Sequence, residues 1–80
     1  MNCKSVITID LHGMNVYKAR TAIDAALRRS FGVYRIELIH GSNAGHALKD
    51  FVRSAYLGDP RVLRLICPDE GRTELVLREL

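Results

Sequence analysis

The sequence predicts a two-layer α/β domain, a βαβαββ sandwich in which two helices cover one face of a mixed four-stranded sheet. Three observations predict it. Short β-branched apolar runs alternate with stretches whose apolar residues recur at helical spacing. The last two apolar runs are joined by Pro68-Asp69-Glu70-Gly71, a link short enough for an antiparallel hairpin. Finally, Leu11-His12-Gly13-Met14-Asn15 nearly recurs 28 residues later as Ile39-His40-Gly41-Ser42-Asn43, each copy lying between a strand and a helix.

The first strand is expected from Lys4 to Leu11, with Ile7, Ile9 and Leu11 on one face and Val6, Thr8 and Asp10 on the other. Gly13 supplies the turn, and Asn15 is placed to cap a helix beginning at Val16. Its apolar stripe is Val16, Ala19, Ile23, Ala26 and Leu27, extended to Phe31, and Gly32 is expected to end it. Tyr34 to Ile39 reads as a central strand. The second helix is expected from about Gly45 to Leu57, with Leu48, Phe51, Val52, Ala55 and Tyr56 inward and His46, Lys49, Asp50 and Arg53 toward solvent. Gly58-Asp59-Pro60 stops it, Val62 to Cys67 forms the third strand, and Thr73 to Leu80 forms the fourth.

Eighty residues make one domain, 1–80, with a core from about residue 6, and the apolar runs are too short to span a membrane. Without a secretory pattern at the N-terminus, the cytoplasm is the expected location. Cys3 and Cys67 read as free thiols, Cys67 as a small buried hydrophobe. Twelve Lys and Arg against nine Asp and Glu give a net charge of +3, compatible with a nucleic-acid partner without requiring one.

If the two strands preceding the His-Gly pairs are parallel neighbours, both turns lie at one end of the sheet beside two helix starts. Backbone amides there can bind phosphate, with His12 and His40 as neutral or cationic partners. Gly13, Asn15, Tyr17, Gly41, Ser42, Asn43, Gly45 and Lys49 are the candidate nucleic-acid or phosphate contacts, Tyr17 by base stacking. Asp10 could orient His12, accept a proton or serve a divalent metal, although one carboxylate falls short of a two-metal set. The second loop lacks the Gly-Lys-Ser/Thr ending of a Walker loop.

Ile9-Asp10-Leu11-His12-Gly13, Ile39-His40-Gly41 with Gly45, Ala47-Leu48-Lys49 and Thr73-Glu74-Leu75-Val76-Leu77 together resemble the Smr (small MutS-related) domain family over roughly residues 7 to 80. The resemblance implies a fold similar to the C-terminal domain of bacterial translation initiation factor three. It also implies binding of DNA or RNA, with phosphodiesterase or nicking endonuclease activity in some members. Carried over by position, Asp10 and His12 match the first motif, and His40, Gly41 and Gly45 the second. On this resemblance Asp10, His12 and His40 are the candidate catalytic residues, with Mg²⁺ or Mn²⁺ as the cofactor if cleavage occurs. The chain departs from the family at Ser42-Asn43, where a lysine and a glycine are usual, and at Glu70-Gly71-Arg72, where many members are richer in glycine. These departures bear on cleavage more than on fold. Two readings therefore stay open: a nucleic-acid-binding domain, with or without endonuclease activity, and a noncatalytic protein-interaction domain.

Overall fold

A computed structural model of the chain describes residues 5–41 and 47–78. The elements follow the expected order: β1 (Ser5–Asp10), α1 (Val16–Arg28), β2 (Val33–Ile39), α2 (Ala47–Ala55), β3 (Arg64–Asp69) and β4 (Arg72–Val76). The sheet order is β1-β2-β4-β3, with β1 and β2 parallel and the other two pairings antiparallel. One connected core joins α1 (Ala19, Ile23, Ala26, Leu27), Val52 of α2 and Tyr56 just after it to Ile36, Leu38 and Leu75 of the sheet. The register aligns Ile7 and Ile9 with Ile36 and Leu38, and Leu75 with Ile36, so these side chains share the helix-covered face. No helix among the described residues is long and apolar enough to cross a membrane.

Several expectations are corrected. Gly32 does not cap α1; Arg29 does, and Gly32 takes the third position of the next turn, closed by the Val33 amide on the Ser30 carbonyl at 2.9 Å. That turn carries Phe31 away from the helix stripe and leaves it 95% exposed; Val16, in the first turn of α1, is also exposed. Ala55 is exposed because α2 ends there in a series of turns. β3 begins at Arg64, since the Val62 amide is taken by a turn to the Asp59 carbonyl, and β4 runs from Arg72 to Val76. Cys67 is an exposed free thiol, because the β3–β4 pairing shifts register between Ile66 and Asp69 on an edge strand.

The other sheet face is polar. Glu37 and Glu74 stand opposite each other on β2 and β4, an unfavourable juxtaposition for like charges. Two arginines offset it: Arg35 pairs with Glu74, and Arg72 with Glu37, both at 2.9 Å. Thr8 of β1 also donates to Glu37 at 3.2 Å. Replacing Arg35 by Met is expected to destabilise the domain by about 1 kcal/mol, because Glu74 then faces Glu37 with Arg72 alone. Arg35→Met/Glu74→Leu should recover most of the loss in urea unfolding; strict additivity in that double-mutant cycle would contradict the arrangement.

Candidate functional site at the His-Gly end

Parallel pairing of β1 and β2 sets both His-Gly turns at the carboxyl end of adjacent strands. The first is closed by the Met14 amide on the Leu11 carbonyl at 2.9 Å. Gly13 and Gly41 adopt φ angles of +82° and +80°, which side-chain-bearing residues rarely adopt. The turns also approach each other: a Cβ built on Gly41 would lie 3.5 Å from Cδ2 of the His12 ring. Behind them comes the β3–β4 turn, whose Gly71 carbonyl accepts from the amides of both His40 and Gly41 at 3.0 Å.

Asp10 fixes the first turn rather than the first histidine ring. Its Oδ1 accepts the backbone amide of His12 at 2.9 Å. His12 itself is exposed. Asn15 caps α1, accepting the Lys18 amide at 2.8 Å, so its side-chain oxygen is already engaged. The first intrahelical bond comes from the Ala19 amide, and the Val16 and Tyr17 amides precede it as first-turn donors. Among the described residues, Gly13, Met14, Asn15 and Val16 line one part of a cleft of about 370 Å³, and His40, Ala47 and Leu48 line another. Tyr17 is 77% exposed beside it. Ser42, Asn43 and Gly45 lie outside the described residues.

His40 has a different environment. It is 4% exposed, with Nδ1 3.2 Å from the Gly41 carbonyl and Nε2 2.9 Å from Thr73 Oγ1. A carbonyl only accepts, so Nδ1 carries the proton and Nε2 accepts from the Thr73 hydroxyl. That hydroxyl in turn accepts from Arg53 Nε at 2.9 Å. Burial foremost holds the imidazole below its ordinary pKa; the nearby charges of Arg53 and Lys49 act in the same direction, against the opposing Gly41 bond. His40 is therefore neutral at physiological pH, and the cationic form expected as an option is disfavoured. Among the described residues, no hydrogen bond or ion pair joins the Asp10, His12 and His40 side chains to one another.

Arg53, expected to face solvent, instead straps α2 to the hairpin: besides Thr73, it donates to the Asp69 and Arg72 carbonyls at 2.8 and 3.1 Å. Thr73 was detectable in sequence, as a lone hydroxyl on the strand face that also carries Leu75. Lys49 pairs with Glu70 of the hairpin turn at 2.7 Å, which partly neutralises this candidate phosphate contact. Tyr56 is buried and donates to Asp24 at 3.0 Å, which leaves Tyr17 as the aromatic available beside the cleft.

Two outcomes test this construction. Thr73→Val keeps the shape of the buried side chain but strips Arg53 and His40 of a shared partner, and should cost about 1–3 kcal/mol in denaturant unfolding. Because the folded pKa of His40 lies below its unfolded value, the unfolded state binds the proton first as pH falls. The resulting stability is present above about pH 6.5 and declines below it. His40→Asn should reduce that slope between neutral pH and about pH 5; an unchanged slope would assign the acid sensitivity elsewhere.

A family model for the Smr domain matches residues 9–73. The chain is also similar to the crystal structure of the Smr domain of Thermus thermophilus MutS2, with 30% identity and a TM-score of 0.79 over 91% of this chain and 99% of that one. Comparison with curated proteins gave no match. The two-layer architecture, the paired His-Gly turns and these similarities agree: the chain belongs to the Smr domain family.

Proposed function

We propose that the domain binds the sugar-phosphate backbone of DNA or RNA at its His-Gly end, and that His12 assists hydrolysis of a phosphodiester held there, taking a proton from the attacking water or giving one to the leaving oxygen. The observation that supports this most is the exposed His12 ring on a turn that Asp10 holds, next to a cleft edged by the first residues of α1. First-turn amides attract phosphate oxygens and stabilise charge as it develops on them. Family membership adds support, since Smr domains are known to bind nucleic acid and some to nick it. His40, with both ring nitrogens engaged, shapes the second turn, whereas His12 is open to a ligand.

Asp10 acts here as a positioning residue. Among the described residues no three His, Cys, Asp or Glu side chains cluster as a metal-ligand set. At the first turn Asp10 already commits one oxygen to the His12 amide. Among the described residues, a divalent ion at this end would therefore be held largely by the substrate phosphates.

The test is a cleavage time course on end-labelled single-stranded, duplex, nicked and branched DNA and matching RNA, with and without Mg²⁺ or Mn²⁺. His12→Ala should lower turnover at least about a hundredfold while leaving salt-sensitive binding in place. Asp10→Asn, which retains an oxygen for the His12 amide, should keep most of the activity that Asp10→Ala loses. Binding without cleavage by any form would remove the catalytic role of His12, and absence of binding at low salt would favour the protein-interaction reading.

A further inference from the structure

The end of the molecule opposite the His-Gly turns carries a feature that core packing does not explain. Phe31 occupies the second position of the Ser30–Val33 turn and is 95% exposed. The turn is braced on both sides, by the Ser30 hydroxyl on the Leu27 carbonyl at 2.7 Å and by Gly32 at φ +82°. A polar residue would satisfy that backbone equally well, and the ring contributes almost nothing to the core.

Its surroundings are cationic. Arg28 and Arg29 immediately precede the turn and are exposed, as is Arg78. The Leu77 and Arg78 amides bond the Tyr34 carbonyl at 2.8 and 3.3 Å, which brings Arg78 to the start of β2 just beyond Phe31. Among the described residues, these three arginines have no ion pair, whereas Arg35, Arg61 and Arg72 each have a carboxylate partner. Lys18 and Arg20 continue the exposed positive charge along α1 toward Tyr17 and the cleft. The acidic residue within α1, Asp24, is engaged by the Tyr56 hydroxyl and lies 3.9 Å from Arg61.

We infer that the exposed face of α1 and the turn after it form a track for single-stranded nucleic acid, on which an unpaired base stacks on Phe31 while Arg28, Arg29 and Arg78 hold the adjacent phosphates. This rests on the nucleic-acid reading of the His-Gly end and extends it to the far end of the domain. An exposed planar ring among cations with no ion pair among the described residues matches a polyanion with free π-faces better than an apolar peptide, which would gain one ring and meet uncompensated charge. A duplex can use the arginines but keeps its bases stacked and out of reach of the ring. The thirteen residues of α1 span about 20 Å, the rise of roughly six stacked nucleotides. A strand lying at the cleft therefore reaches Phe31 only beyond that length.

The chain contains no tryptophan, so Phe31→Trp places a single reporter at the proposed stacking position. Its fluorescence should be quenched on titration with oligothymidylate of about 20 nucleotides and unaffected by a trinucleotide. In anisotropy measurements, Phe31→Ala should weaken binding of the long single strand roughly tenfold, within the range for one stacked base, and leave duplex binding unchanged. Arg28→Gln/Arg29→Gln should lower the single-strand salt slope by about 1.4, or 0.7 for each phosphate no longer neutralised. Circular dichroism confirms folding of each variant. Wild-type affinity in Phe31→Ala, absence of quenching, or an equal loss on duplex and single strand overturns the track while leaving nucleic-acid binding at the His-Gly end intact. Failure of the wild-type chain to bind any nucleic acid overturns both.

Discussion

The chain of hydrogen bonds from Arg53 through Thr73 to His40 is the constraint on which the arrangement of the His-Gly end depends. It joins three elements that are distant in sequence, α2, β4 and the residue after β2, at a point where a helix, a strand and a turn would otherwise meet with unsatisfied polar groups. Each member fits one direction of donation: guanidinium to hydroxyl, hydroxyl to imidazole, imidazole to carbonyl. In a buried site that completeness matters more than the strength of any one bond, because an orphaned donor or acceptor bears the full loss of its hydration. With His40 held, the Gly71 carbonyl can reach both amides of the second turn, and Gly41 can lie against the His12 ring.

Much of the architecture was legible because its signals are local. The periodicity of Ala19, Ile23, Ala26 and Leu27 and the alternation around Ile36 and Leu38 follow from side chains meeting the same apolar face again and again. Asn15 announces the start of α1, and its cap is present. Element ends were less legible, since they depend on what the backbone meets after a periodic stretch stops. Phe31 continues the spacing of the helix in sequence but lies past its last turn, and Val62 is a strand-forming residue whose amide is captured by Asp59. Cys67 looks like a core residue by composition, and the register shift on an edge strand exposes it.

The candidate site was legible in a different proportion. Placing both His-Gly pairs at one end of the sheet required only strand order and handedness, and the parallel β1/β2 pairing provides it. Arg53 was not recoverable, because a helical arginine is ordinarily solvated and nothing near it in sequence indicates the carbonyls of Asp69 and Arg72. Charge shows the same limit. A net +3 says little, whereas the pairing pattern among the described residues sets Arg35 and Arg72 of the sheet, each beside a carboxylate, apart from the arginines flanking Phe31.

The two His-Gly turns show how topology divides what the sequence repeats. Both share a dipeptide, a left-handed glycine and a position after a parallel strand. β1 lies at the edge of the sheet, so the turn after it has a strand on one side only, and His12 remains in solvent. β2 is central, and the turn after it is overlaid by the β3–β4 connection, where Arg53 from α2 holds the Thr73 hydroxyl against the imidazole, so His40 is buried, neutral and engaged at both nitrogens. One imidazole is thus left open to solvent, and the other holds the frame of the second turn. The difference arises from strand order rather than from either histidine's sequence neighbours.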